Sequence, residues 1–156
     1  MNAAVNSPNE AFVWSDSFKL GYDPMDETHE EFVEIVSCLL TAPESELVTH
    51  LEAFKEHAIR HFGEEDEWMV RTEFPARDCH IDEHAAVLKS VNEVLELARQ
   101  GDLRFVRGLA QELARWFPGH ADYLDSALAQ WMFKREYGGK PMVLRRSIQS
   151  PLPSEG

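Results

Sequence analysis

The chain has 156 residues, and its 15 Lys and Arg against 28 Asp and Glu give a formal net charge of −13. The length favours one domain with one core, and 44% hydrophobic with 28% charged residues is an ordinary globular composition. The acidic excess argues against nucleic acid and against an anionic membrane surface as the main partner, because both would repel it.

Neither secretion nor membrane insertion is expected. The first residues lack the basic and apolar regions of a signal peptide, and no stretch approaches the roughly 18 apolar residues of a membrane span. Two cysteines cannot form a disulfide framework. We therefore expect a cytoplasmic protein.

The chain begins with a polar segment of small residues, and we expect residues 1–13 to be flexible. Trp14 and Phe18 then predict an extended arm, which packs onto the body of the protein and ends near Gly21.

The first helix is predicted from Asp23, which has the place of an N-cap before Pro24 at the first helical position. It should end near Thr41, ahead of Pro43. One histidine, His29, falls on the same stripe as the large apolar residues of this helix.

The second helix is predicted from Ser45 to the loop before Pro75, and the third from about Asp78 to Gly101. Positions at alternate spacings of four and three form the inward face of each helix. In the second helix they are Leu47, Leu51, Phe54, Ala58, His61, Glu65 and Trp68. In the third helix they are His80, His84, Val87, Val91, Val94 and Ala98.

The fourth helix is predicted from Asp102, as its N-cap, to Tyr137. Pro118 and Gly119 should introduce a kink or one irregular turn into it. Its inward positions are Val106, Leu109, Leu113, Phe117, His120, Leu124, Leu128 and Trp131.

Four amphipathic helices with short connections predict an all-α fold. We expect an antiparallel up-and-down four-helix bundle over residues 14–137, with the N-terminal extended arm before it and a flexible C-terminal tail, residues 138–156, after it. From Lys134 to the end, the chain has five Lys and Arg against two Glu. This basic tail could bind an unidentified protein partner, and we otherwise expect a monomer.

Polar residues interrupt the inward faces in a regular way. His61 and Glu65 are four residues apart on the second helix, and His80 and His84 are four apart on the third, so each pair projects from one helix face. Both pairs lie near the loop that joins the two helices, and they should face each other at one end of the bundle. His29 of the first helix should reach the same end.

The fourth helix adds His120 and Asp125, which brings the set to five histidines and two carboxylates. Without a metal, burying so many unpaired polar groups would cost about 1–3 kcal/mol each. A spacing of five residues turns about 140° around an ideal helix. The pair His120 and Asp125 therefore needs the irregularity at Pro118 and Gly119, or a carboxylate that reaches in from the rim.

The number of candidate ligands indicates the metal. Zinc takes four ligands, whereas imidazole and carboxylate suit iron, and helical bundles are known hosts of di-iron centres. If two six-coordinate irons share both carboxylates and one oxo or hydroxo bridge, the five histidines fill all but one of the remaining positions. A small diatomic ligand could bind at that open position.

These residues and their flanking sequences resemble those of the hemerythrin family, particularly its bacterial single-domain members. The resemblance lies in His29, His61-x-x-x-Glu65, His80-x-x-x-His84 and His120-x-x-x-x-Asp125. It extends to the flanking sequences MDETH and HFGEEDEWM and to a Trp four residues before His120. It covers roughly residues 12 to 135.

The resemblance implies a non-heme di-iron protein that binds oxygen reversibly, as a carrier, a store or a sensor. It implies that the fully coordinated iron is bound by His80, His84 and His120. The iron with the open position would be bound by His29 and His61, and the two bridges would be Glu65 and Asp125. Oxygen would bind end-on at the open position and become hydroperoxide. Nitric oxide or an anion such as azide could bind there too.

The resemblance also implies an apolar wall around the bound oxygen, formed by Phe62, Trp116, Phe117 and Leu124. These four residues could equally be ordinary core packing. His57, one turn before His61, stands where bacterial members often have Tyr. It could hydrogen-bond a metal ligand or lie at the rim of the pocket, or it could lie at the surface or simply pack.

The alternative function is a di-iron oxidase, peroxidase or nitric-oxide-handling enzyme in the same bundle. Oxygen-activating bundle enzymes have a carboxylate-rich ligand set, whereas the candidate ligands of this chain are mostly imidazoles. A pair of ferrous ions supplies only the two electrons that reduce oxygen to peroxide, and the sequence indicates no substrate cleft. Both points favour reversible binding over catalysis.

Overall fold

The computed structural model describes residues 12–137. Most of the N-terminal segment expected to be flexible, and the whole C-terminal tail, lie outside the described residues. None of the helices in the described part is both long and apolar enough to cross a membrane.

The described chain forms a bundle of four helical rods, of which the last runs in three parts. The helices are α1, Asp23–Thr41; α2, Leu47–Arg71; α3, Arg77–Arg99; and α4, Val106–His120, which continues through a π-helical turn, Ala121–Asp125, into α5, Ser126–Glu136. Each helix contacts the next along the chain, and α4 contacts α1. The prediction of an all-α, antiparallel up-and-down four-helix bundle is confirmed.

The first helix has the predicted bounds, Asp23–Thr41, although Tyr22 and not Asp23 has the N-cap position. The ends of the other helices differ from the predicted ones by a few residues. α2 ends at Arg71 because the chain turns there, with Glu73 in the left-handed region at a φ of 57°. Asp102 does not cap the fourth helix, and that prediction was wrong. Its carboxylate accepts hydrogen bonds from the backbone and the guanidinium of Arg104, and α4 begins only at Val106.

The N-terminal arm lies against α4. It contains one short 3-10 turn, Asp16–Phe18. The ring of Phe18 packs edge-on against Phe117 with centroids 5.4 Å apart, and the ring of Phe12 packs against the same residue at 6.1 Å. The arm therefore covers one side of a residue that also faces the centre of the bundle.

Asp26 fixes the junction between the arm and α1. Its carboxylate accepts hydrogen bonds from the backbone N–H groups of Leu20, at 2.8 Å, and Gly21, at 3.0 Å. Gly21 has a φ of 91°, which glycine adopts without a steric cost. The chain can therefore turn sharply into the helix at this point.

Two apolar clusters fill the bundle, and a band of polar side chains separates them. The larger cluster includes Phe32, Phe54 and Leu113. The smaller one lies toward the loop between α2 and α3 and includes Met69 and Phe74. The buried polar band lies where the sequence passes from one cluster to the other in each helix.

The π-helical turn shifts the inward register of the fourth rod. The amide of Ser126 donates to the carbonyl of Ala121, five residues earlier, so the turn accommodates one residue more than an α-helical turn. As a result Asp125 and Met132 are buried, whereas Leu124, which was predicted to face inward, is only half-buried.

Candidate metal centre

All four rods contribute to the buried polar band. No side chain in the set of seven predicted ligands is more than 5% exposed. The set comprises His29 on α1, His61 and Glu65 on α2, His80 and His84 on α3, His120 at the end of α4 and Asp125 at the end of the π-helical turn.

The candidate ligand atoms form two overlapping groups, and within each group they lie within 4.8 Å of one another. One group consists of His29, His61 and Glu65. The other consists of Glu65, His80, His84, His120 and Asp125. We call the histidines of these groups the two-histidine side and the three-histidine side.

Glu65 faces both sides of the band with different oxygen atoms. Its Oε2 lies 3.0 Å from Nε2 of His61 and 3.4 Å from Nε2 of His29. Its Oε1 lies 3.3 Å from Nε2 of His84 and 3.6 Å from Nε2 of His80. The carboxylate thus spans the two groups.

Asp125 has the same arrangement from the opposite rod. Its Oδ2 lies 3.1 Å from Nε2 of His29, on the two-histidine side. Its Oδ1 lies 2.9 Å from Nε2 of His80 and 3.3 Å from Nε2 of His120, on the three-histidine side. Each carboxylate therefore has the placement that a bridge between two cations requires.

The π-helical turn brings His120 and Asp125 onto one face of the rod, although five residues separate them. The turn begins at Ala121, two residues after the Pro118 and Gly119 pair where the sequence predicted an irregularity. Pro118 has no N–H to donate to the preceding turn. The wider turn that follows removes the 140° separation that an ideal helix would impose.

Several polar atoms in this band make no well-aligned hydrogen bond to any described residue, although some lie within ion-pair distance of an opposite group. They include both ring nitrogens of His29, Nε2 of His84 and of His120, Oε1 of Glu65 and Oδ2 of Asp125. Leaving buried polar atoms unpaired costs about 1–3 kcal/mol for each group. Imidazole nitrogens and carboxylate oxygens are the donor set that iron accepts, so the residues fit a pair of iron ions.

Without a metal, the two carboxylates hold protons on nearby imidazoles. Burial would lower the pKa of His29, but Asp125 and Glu65 raise it to about 10. Burial likewise opposes the charge of His84, but Asp66 and Glu65 raise its pKa to about 9. Burial would raise the pKa of the carboxyls of Glu65 and Asp125, yet the neighbouring histidines keep it well below the usual range.

Two further carboxylates orient the three-histidine side from outside. Oδ1 of Asp66 lies 2.8 Å from Nδ1 of His84, and Oε1 of Glu83 lies 2.8 Å from Nδ1 of His120. With Nδ1–H donating to a carboxylate, Nε2 is left to face the centre. Sequence reasoning missed both acids, and the only available signal is that each adjoins a predicted ligand in the chain.

We expect Asp66→Ala to weaken metal binding at the three-histidine side by about 10- to 100-fold. Without this carboxylate, the ring orientation and tautomer of His84 are no longer fixed. A competition titration of the metal-free protein with Co²⁺ and a coloured chelator measures the change. Asp82→Ala, an exposed acid on α3, is the matched control and should bind as the unmodified protein does.

Aromatic rings stack on histidines of the three-histidine side. Phe62 stacks on His84 with centroids 4.1 Å apart and an angle of 6° between the planes. Trp116 stacks on His120 at 4.2 Å and 27°. Two of the predicted wall residues therefore contact ligand rings directly.

The two-histidine side is bounded by a second set of apolar residues. The ring of Phe117 lies edge-on to His29 at 5.3 Å, and Phe32 stacks on Phe117 at 4.9 Å. Phe32 and the buried Ala121 belong to the larger apolar cluster and were not singled out from the sequence as wall residues. Leu124 packs against neither cluster within the described residues, so its role in the wall stays a prediction.

His57 is buried, with 2% of its surface exposed, so it is not a surface residue. Its ring lies 5.3 Å from the ring of His61, and its Nδ1 lies 3.6 Å from a carboxylate oxygen of Glu31. Burial, His61 and Arg60 lower the pKa of His57 to about 4. Its Nε2 has no hydrogen-bond partner among the described residues.

The comparisons with known proteins agree with this geometry. Residues 20–132 match the family model described as the hemerythrin HHE cation binding domain. A bacteriohemerythrin of Ralstonia nicotianae is 36% identical over 122 residues, which are 78% of this chain and 89% of the relative. A bacteriohemerythrin of Clostridium acetobutylicum is 24% identical in an alignment of length 129 that covers 73% of this chain and 99% of the relative. No solved structure gives a significant match. Because the matched region spans all four rods and all seven candidate ligands, the chain belongs to the hemerythrin family.

Proposed function

We propose that the bundle holds two iron ions and binds oxygen reversibly, as a carrier, a store or a sensor. The observation that carries this proposal is that each of two buried carboxylates directs one oxygen toward the two-histidine side and the other toward the three-histidine side. One iron would be held by His29 and His61, the other by His80, His84 and His120, with Glu65, Asp125 and an oxo or hydroxo group as bridges.

The unequal number of histidines supports an open position on the two-histidine side. With both carboxylates shared equally, that iron has one protein ligand fewer than its neighbour. If two ferrous ions were held there, they would supply the two electrons that reduce dioxygen to the peroxide level and would take them back on release. The residues themselves hold the ions and exclude water.

The apolar surroundings support a small, uncharged ligand. Phe32, Phe62 and Phe117 are buried and lie against the histidine rings or against one another. Such walls offer no hydrogen bonds to a larger polar substrate. Oxygen fits this environment, and nitric oxide, which is also small and uncharged, could compete with it at the same position.

The test is a spectroscopic cycle on the iron-loaded protein. The protein is reduced anaerobically, exposed to oxygen and then purged, while the visible spectrum is recorded. We expect a charge-transfer band that appears with oxygen and fades on purging over repeated cycles. A single irreversible conversion to the ferric form, with steady consumption of an added reductant, would instead identify an oxidase.

A further inference from the structure

The seven candidate ligands are so deeply buried that a metal ion needs a route to them. A cleft beside α2 opens from solvent toward the two-histidine side and encloses about 420 Å³. Its lining includes Thr28, His57, Arg60, His61, Glu64 and Glu67. His61 is therefore both a wall of this cleft and a candidate ligand.

His57 occupies the inner part of the cleft. It is almost fully buried, and its Nε2 lacks a partner among the described residues, which is an unfavourable state for an imidazole nitrogen. The ring centroid of His57 lies 5.3 Å from that of His61, which in turn lies 5.1 Å from that of His29. Three imidazoles thus lead stepwise from the cleft to the centre.

The charges of the cleft favour a cation. Glu64 and Glu67 are exposed carboxylates in its lining, against the single guanidinium of Arg60. Glu31 adds a third carboxylate next to His57. Carboxylates at the mouth followed by imidazoles inside are ligands that a ferrous ion can exchange one after another.

The groove between α3 and α4 is a less suitable route. It encloses about 390 Å³, and most of its lining is apolar, including Val87, Leu109 and Leu113. Trp116 lies at its inner side and stacks on His120. Two carboxylates also line the groove, but Glu83 already lies 2.8 Å from Nδ1 of His120 and Glu112 pairs with Arg115. An ion in this groove would still have to pass the ring of Trp116, where no imidazole leads inward as it does in the cleft beside α2.

We propose that the cleft beside α2 is the route by which metal ions enter and leave the centre, and that His57 binds the ion transiently between the carboxylates of the mouth and His61. This inference rests on the proposed function, because it assumes the metal pair. It assigns a role to a buried histidine that lies outside the seven candidate ligands.

Two variants test the route from different directions. Gly63 also lines the cleft, and a Cβ added there meets nothing within 4 Å. Gly63→Leu should therefore fill the cleft without strain, and leucine has the higher helix propensity. His57→Leu removes the nitrogen donors and leaves the cleft open.

The rate of Co²⁺ uptake by the metal-free protein is followed by stopped-flow absorption, and release by transfer to a chelator. We expect both variants to load and release Co²⁺ more slowly by about tenfold, which corresponds to about 1.4 kcal/mol added to the barrier, with the final content unchanged at two ions per chain. Gly108→Leu, at an exposed glycine of α4 with equally open space, should load at the rate of the unmodified protein.

The outcomes separate this inference from the proposed function. An unmodified protein that never reaches two Co²⁺ per chain would refute the metal pair itself. Full loading at an unchanged rate in both variants would overturn the route, as expected if metal enters through local opening elsewhere. Slow uptake in Gly63→Leu alone would overturn the role of His57.

Discussion

Replacing Glu65 by alanine should remove both metal ions from the protein, because the two oxygens of this carboxylate face opposite sides of the centre. Oε2 lies 3.0 Å from His61 and Oε1 lies 3.3 Å from His84. By contrast, His61→Ala should remove the ion of the two-histidine side and leave the other. Elemental analysis after anaerobic loading with Fe²⁺ gives the number of ions per chain.

The same variant should lose the stabilisation that iron provides. An ion at a free concentration of about 1,000 times its dissociation constant adds about 4 kcal/mol to the free energy of unfolding. Urea unfolding with and without iron should therefore show a large difference for the unmodified protein and none for Glu65→Ala. Glu56→Ala, an exposed acid on the same helix, is the control and should keep both ions. Two ions retained in Glu65→Ala would reject the bridging role.

The metal-free protein should lose several kcal/mol of stability as the pH rises from about 6.5 to 9.5. The folded-state pKa of His29 is raised to about 10 and that of His84 to about 9, whereas an unfolded histidine titrates near 6.5. Their contribution is complete below pH 6.5, where both states carry the protons. It is lost as the pH rises through the folded pKa values.

Urea unfolding at several pH values in the presence of a chelator measures this loss. The series stops at pH 9.5 so that ionisation of Tyr22 does not add to the measured loss. Burial raises the pKa of Tyr22 in the folded protein, whereas an unfolded tyrosine titrates near 10. His84→Gln removes one of the two titrations and should flatten the decline. In the iron-loaded protein, metal replaces the protons and the decline should be much smaller. A flat profile for the metal-free protein would contradict the expected protonation.

The fold and the set of candidate ligands could be predicted because both depend on spacing within single helices. His61 with Glu65, and His80 with His84, are one turn apart, so the sequence alone places each pair on one face. Short loops between amphipathic helices then leave few ways to pack, and the antiparallel bundle is one of the simplest. No knowledge of distant contacts was needed for these steps.

Contacts across helices could not be predicted in this way. The hydrogen bond from His84 to Asp66 joins α3 to α2, and the one from His120 to Glu83 joins α4 to α3. Both acids look like solvated surface residues in the sequence, since an exposed helix face is normally rich in charge. Which acids reach a buried ring depends on how the helices are rotated about their axes and shifted along them relative to one another.

Leu124 illustrates a different limit. It was predicted to face inward because the fourth helix was assumed to keep a regular α-helical period. A regular α-helix through His120 would turn Leu124 inward. The π-helical turn turns Asp125 inward instead and leaves Leu124 half-buried. A π-helical turn is rare and occurs mostly as a single turn within an α-helix, so a regular helical period does not anticipate it.

The π-helical turn acts as a one-residue insertion within an otherwise unbroken rod. The extra residue rotates the segment after the turn relative to the segment before it. The inward-facing positions at Phe117 and at Met132 therefore need not fit one continuous α-helical repeat. The extra residue projects outward, where Tyr123 is 80% exposed. What the centre requires is that His120 and Asp125 share a face. A rod without the insertion would meet that requirement with a spacing of four, so a search for such centres by that fixed spacing would miss a centre built as this one is.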